Sequence, residues 1–365
     1  MNYRLATILA REAHSADVTK VIDLKLADPV SQFHIVYEAQ NTSSAEPTAH
    51  PAKCISKIEL VDGSDVLFSL SGQEAQAVDF YHTGQIPANI INFWNENWSE
   101  QIFNINFGRY LWDPLYAFDP KKFTNPQLKI TIDINGGGAV SDNGYLTVFA
   151  NIFDGKAITP AGFMMHKEIK DYVPGASAHE YTDLPTDYPY RKLFIKAQKY
   201  GTGPEALINT IKLSEDNDRK IPYDITMYQL LRALTSLKGP YRENIVIAGG
   251  ANGWHFYCTP TYWPMGNISQ FENSCADFLY ALGFPDGGQG HVPITGSGIN
   301  LCIDVVGWAP HGVVEIPFGL QDTPDDWYDV SKLGSLRLDI LATANYTTGD
   351  SCAIFMQQLR KYGGA

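Results

Sequence analysis

Residues 201–206 read GTGPEA, a glycine-rich hexapeptide of the kind that cradles a pyrophosphate. That chemistry needs a helix next, so that its N-terminal N–H groups face the phosphate. Here Ile208, Ile211 and Leu213 follow with strand character, and Pro204 sits in the loop. A plain turn is expected instead. The nine histidines (14, 34, 50, 82, 166, 179, 255, 291 and 311) are scattered, with no HxH and no HExxH. A metal held by a His pair and a carboxylate on neighbouring strands is therefore not expected. No GxSxG occurs, so the usual serine nucleophile elbow is missing.

Two acidic clusters, Glu215-Asp216-Asn217-Asp218 and Asp322, Asp325, Asp326 and Asp329, have oxygen ligands that could hold Ca²⁺. The plainer reading of each is a solvated turn or a helix start, and the metal question stays open. Arg109 and Asp113, in FGRYLWD, are spaced to pair across a turn. They suggest either a structural ion pair or a contact between subunits. Arg4 and Arg11 flank Leu5, Ile8 and Leu9 in MNYRLATILAREAHS, which reads as a short amphipathic helix on a lipid surface or a neighbouring subunit. No catalytic residue and no cofactor site emerge.

The composition is that of a soluble globular protein. The chain has 365 residues, 44% hydrophobic and 18% charged, with 31 Gly and 21 Pro. Low charge with many turn formers points to strands and turns, and the length to two domains. The net charge of −13 argues against nucleic-acid binding, which requires phosphates to be neutralised by Lys and Arg. Five well-separated cysteines, with no CxxC, read as reduced thiols. No apolar run of about 18 residues and no secretory leader are apparent.

The elements themselves repeat. FHIVYEAQ (33–40) and RKLFIKAQ (191–198) lie 158 positions apart. Each is followed by a loop and a second strand, Ile55–Asp65 or Ile208–Asp218. A helix comes next, 72–84 or 225–239, the latter with Met227, Leu230, Leu231 and Leu234 on one face. FTNPQLKITIDI (123–134) then matches LGSLRLDILATA (333–344), and YLTVFANI (145–152) matches SCAIFMQQL (351–359). The order implies an ancient duplication. The expected fold class is all-β: two tandem eight-stranded jelly rolls with short helices and a long insertion in the second. The expected boundaries are an N-terminal arm at 1–19, a first roll at 20–170, a linker at 171–189 and a second roll at 190–365. The insertion is expected at about 241–330. Within it, Ser269–Glu272 reads as a capping box opening a helix that Gly283 ends.

Three stretches, IELVDGSDVLFSLSGQEAQAVDFYHTG (58–84), INFGRYLWDPLYAFDPKKFTNPQLKITIDI (105–134) and LPTDYPYRKLFIKAQ (184–198), occur in this duplicated layout. Together they resemble the double jelly-roll major capsid proteins of tailless icosahedral viruses, the lineage of internal-membrane phages and adenovirus. The likeness covers roughly residues 20–360. It implies a homotrimer of pseudo-hexagonal outline in a virion capsid assembled in the host cytoplasm, with the insertion outward. It also implies neighbouring capsomers and a vertex protein as partners. An internal membrane would lie beneath where the virus has one, and no sequence-specific nucleic-acid binding is implied. Arg4, Arg11, Arg109 and Asp113 are then candidate interface residues. A carbohydrate-binding or carbohydrate-cleaving two-sandwich protein is the rival reading.

Overall fold

The computed structural model describes residues 1–41, 47–94, 96–137, 143–248, 254–270, 281–283, 286–292, 300–347 and 350–363. Its first half runs β1 (Tyr3–His14), β2 (Val18–Asp23), β3 (Val30–Gln40), β4 (Ile55–Asp62), β5 (Asp65–Leu70), α1 (Gly72–Thr83), β6 (Ile91–Phe93), β7 (Trp98–Asn106), β8 (Pro126–Ile132) and β9 (Gly144–Phe153). These strands form because apolar and polar residues alternate. In β3, Phe33, Ile35 and Tyr37 are fully buried, while Gln32, His34 and Val36 point the other way. Gly63, at φ +61, makes the tight turn from β4 to β5.

The second half repeats the plan with β10 (Gly162–Tyr172), β11 (His179–Asp183), β12 (Tyr190–Gln198), a one-turn α2 (Pro204–Leu207), β13 (Ile208–Glu215), β14 (Lys220–Thr226) and α3 (Met227–Leu237). An insertion follows, with β15 (Tyr241–Ala248), β16 (Trp254–Tyr257), β17 (Pro260–Gln270), β18 (Ala281–Gly283), β19 (Gln289–Val292) and β20 (Asn300–Pro310). The roll closes with β21 (Val313–Pro317), β22 (Leu336–Ala342) and β23 (Ser351–Lys361).

The two halves have the same sheet order. In the first, β1-β9-β3-β7 faces β2-β8-β4-β5; in the second, β10-β23-β12-β21 faces β11-β22-β13-β14. Counting the eight strands within each half gives 1-8-3-6 and 2-7-4-5 both times, the strand order of a jelly roll. The rolls join edge to edge: β5 and β10 run parallel at Phe68↔His166 and Ser69↔Lys167, making one eight-stranded sheet across the molecule. The insertion builds its own sheet, β18-β17-β20-β15-β6, whose last strand comes from the first roll.

Several expectations need correction. The first residues are not a free arm or a helix: β1 is a sheet strand paired with β9. Register shifts between Thr7 and Leu9 and between Leu9 and Glu12 break its alternation and give it a helical look. The stretch expected as a linker holds the end of β10 and all of β11, and the repeated topology places the roll boundary between β9 and β10. The insertion lies between α3 and β21; residues 313–330, counted with it above, open with β21 of the roll itself. The expected helix at 269–283 falls largely on 271–280, outside the described residues. Its two ends are strand, with Asn267 paired to Ala281 and Met265 to Gly283.

Candidate assembly surfaces and the seam between the rolls

α1 sits between the two rolls. Ser71 and Glu74 form a capping box at its start, and Gly84, at φ +71, ends it by donating its N–H to the Phe80 carbonyl. From Gly72 to Tyr81 every residue is buried, including Gln73, Glu74, Gln76 and Asp79. One face belongs to the first roll. There Gln76 donates to the Ile102 carbonyl at 3.1 Å, and Asn104 and Asn106 donate to the Asp79 carboxylate at 2.8 and 2.7 Å. Burial raises the Asp79 carboxyl to about 6, with the two amides pulling it back.

The other face lies on the outer surface of β10-β23-β12-β21. The Tyr81 hydroxyl donates to the Val313 carbonyl at 2.8 Å, and its own carbonyl accepts from Lys192 Nζ at 2.7 Å. Lys192 also reaches Glu315 Oε2 at 2.5 Å, both side chains almost fully buried. Burial lowers the Lys192 ammonium to about 8 against the pull of Glu315. His82 Nδ1 accepts from Arg191 at 3.0 Å, and Gln357 donates to His166 Nε2 at 2.9 Å. Burial, with Arg191 and Lys192 close by, holds His82 well below its ordinary value and His166 at about 3. Phe194, Val313, Ala353 and Phe355, all from the second roll, complete the first roll's apolar core. Packing and these polar contacts together weld the rolls.

A second polar knot ties the insertion to α1. His311 Nε2 donates to Gln76 Oε1 at 2.8 Å, and the Thr259 hydroxyl donates to Glu243 Oε2 at 2.7 Å with His50 Nε2 3.2 Å away. His50 and His311 stack edge-on, with ring centroids 4.8 Å apart. Thr259 and His50 are both fully buried, so this triad-like set offers no surface for a substrate. Sequence spacing gave no sign of these histidine contacts, because each joins residues from different elements. Among the described residues no three His, Cys, Asp or Glu side chains are placed to hold a metal.

The candidate residues divide into two places. Arg109 and Asp113 form a two-pronged pair, Nε to Oδ2 at 2.7 Å and Nη2 to Oδ1 at 3.0 Å, with the carboxylate fully buried. Burial raises the Asp113 carboxyl, but Arg109 and the backbone N–H groups of Arg109 and Leu115 overcome this and leave it below its ordinary value. Arg109 Nη1 also donates to the Asp322 carbonyl of the second roll at 3.0 Å, so the pair bridges rolls within one chain. Arg4 and Arg11 lie on the edge strand β1. Arg4 pairs with Asp154 at 3.2 Å, and Arg11 grips Glu38 at 2.8 Å and covers the Tyr145 ring. The acidic clusters are spent on turns: Asp216 caps Gly334 and Ser335, Glu215 accepts from Tyr328, and Asp329 accepts from Ser331. In GTGPEA the one-turn α2 runs straight into β13.

The loops carrying Arg109 and Asp322 are themselves a repeat. Phe107 N donates to the Ser31 carbonyl as Phe318 N does to that of Arg191. Val30 and Phe118 bond as Tyr190 and Tyr328 do. The Phe-Gly pair after the sixth strand, 107–108 and 318–319, is the sequence signal that marks this loop in both halves.

No family model matches the sequence, and no curated protein does either. Solved structures do. The major capsid protein P2 from bacteriophage PM2 superposes with a TM-score of 0.56 at 11% identity, over all of both chains. The STIV major capsid protein gives 0.61 at 11%, over 99% of this chain and 97% of that one. PBCV-1 VP54 gives 0.55 at 9%, over 98% and 94%. The chain therefore has the double jelly-roll fold of these capsid proteins.

Proposed function

We propose that this protein is a major capsid protein, the structural shell subunit of an icosahedral virion, and that it is not an enzyme. One observation carries the reading. The two rolls share one strand order and stand side by side in a single chain, over the full length of folds that build viral shells. A chain with two similar rolls gives a threefold ring six similar edges, an economical tile for a closed lattice. The working unit is a homotrimer with a pseudo-hexagonal outline, contacting neighbouring capsomers and a vertex protein in a capsid assembled in the host cytoplasm. Where the virus has an internal membrane, the face opposite the insertion looks towards it.

Light scattering of the purified chain tests this. A mass three times the 40.5 kDa chain, with hexagonal particles in negative stain, is the expected result. A monomer at high concentration overturns it.

A further inference from the structure

The seam inside one chain has an unfilled twin on each side of the molecule. The matched backbone bonds above place Ser31 opposite Arg191 in the two rolls, and the pairings of β3 and β12 extend the match to Gln32 with Lys192, His34 with Phe194 and Val36 with Lys196. In the same way β9 pairs with β1 as β23 does with β10, so Phe149 corresponds to Phe355, Asn151 to Gln357 and Leu5 to His166. The hairpins and capping boxes align Phe68 with Tyr223, Ser71 with Thr226, Gln73 with Tyr228 and His82 with Leu237.

The consequences differ by roll. Gln73 and His82, the first buried and the second half-buried against the second roll, correspond to Tyr228 and Leu237 of α3, which are 57% and 69% exposed. His166, buried where β10 meets β5, corresponds to Leu5 on β1, 60% exposed. Among the described residues β14 and β1 have unpaired outer edges, whereas their counterparts β5 and β10 pair with each other. The rim agrees as well. Within the chain Arg360 grips Asp65, with Nη1–Oδ1 at 2.9 Å. The corresponding residues are Asp154 and Lys220, the same ion pair with its charges exchanged. Here Asp154 pairs with Arg4 and Lys220 with Glu215.

We infer that a second copy of this chain docks head to tail on these surfaces. Its β1 edge and the outer face of its β9-β3-β7 strands receive β14 and α3 of the first copy. Tyr223 then lies beside Leu5 of the next copy, Leu237 beside its Asn151 and Lys220 beside its Asp154. The contact is heterologous, and on the trimer reading its rotation closes a ring of three chains. The inference rests on the trimer reading and names its surface.

The test is a disulfide trap on the full chain. Leu5→Cys with Tyr223→Cys, oxidised, should yield cross-linked dimers and trimers on a non-reducing gel, while each single variant gives none. Charge reversal supplies a second reading: Lys220→Asp or Asp154→Lys should weaken association at low salt by about tenfold, and the double reversal should restore it. If the wild-type chain is trimeric but neither the trap nor the reversals have any effect, this surface is wrong and the trimer stands. If the wild-type chain is monomeric, the trimer reading fails with it.

Discussion

The sheets β10-β23-β12-β21 and β1-β9-β3-β7 have the same strand order and different surroundings. Every residue of β12 is buried, because α1 covers its outer face; β3 alternates between buried and partly exposed residues along the same length. Equivalent strands have diverged accordingly. Lys192, Phe194 and Glu315 occupy the covered face where Gln32, His34 and Asn104 occupy the open one. Burial permits a lysine and a glutamate only as a pair, whereas neutral polar side chains suit a surface that meets water before it meets a partner. The same split separates the helices: α1 is buried all round, while α3 buries one stripe of Met227, Leu230, Leu231 and Leu234.

That contrast can be broken most sharply at Glu315. Glu315→Ala strands the Lys192 charge and should cost about 3–5 kcal/mol in denaturant unfolding. Asn104→Ala, at the corresponding half-buried position, should cost less, about 1.5–3 kcal/mol, the worth of its bond to the Asp79 carboxylate. A similar cost at both sites would contradict the idea that covering, not position in the sheet, sets the energy. Next comes the bridge between the rolls. Asp113→Ala removes a buried carboxylate with four hydrogen-bond contacts and should cost about 2–3 kcal/mol, with Arg109 released from the Asp322 loop. Hydrogen exchange in residues 318–327 would report that release.

The helix starts should behave alike despite their different surroundings. Ser71→Ala and Thr226→Ala each remove the hydroxyl of a capping box and should each lower stability by about 1 kcal/mol. Unequal losses in thermal unfolding would show that burial, beyond the cap, holds α1 in place. The smallest effect is on pH dependence. Unfolded, the His166 imidazole takes its proton near pH 6.5; folded, not until about 3. Its contribution is complete above pH 6.5 and is lost as pH falls towards 3. Asp79 and Glu243, raised by burial to about 6 and about 7, work in the opposite direction. The informative quantity is therefore a difference: His166→Gln should lose less stability between pH 7 and pH 5 than the wild type does. Parallel pH profiles would remove His166 from the account.

Much of this architecture was legible because strands and helices repeat their patterns. The matches of 55–65 with 208–218, of 123–134 with 333–344 and of the two helices fall on equivalent elements. The octets FHIVYEAQ and RKLFIKAQ lie on equivalent strands too, but the backbone bonds show them two residues out of step. A slide of two keeps every side chain on its face, so an apolar match cannot detect it. The opening strand of each roll was missed for different reasons: register shifts disguise β1, and β10 departs from alternation with a run of buried residues from Gly162 to His166. The seam itself was invisible in the sequence. His82, Lys192, Glu315 and Gln357 come from four elements, and no local spacing joins them. Arg109 and Asp113 were found because a turn brings them together, though their partner Asp322 was not.

Strand β6 carries a consequence for synthesis. Residues 91–93 leave the ribosome early, yet their place in a sheet is beside Ile245, Val246 and Ile247 of the other half of the chain. The first roll's two sheets do not include them, so β6 is without its sheet partner while about 150 further residues are made. Separating the halves onto two genes would leave β6 unpaired on one product and the insertion's sheet one strand short on the other. With β6 built into the insertion's sheet, one half of the chain completes an element of the other.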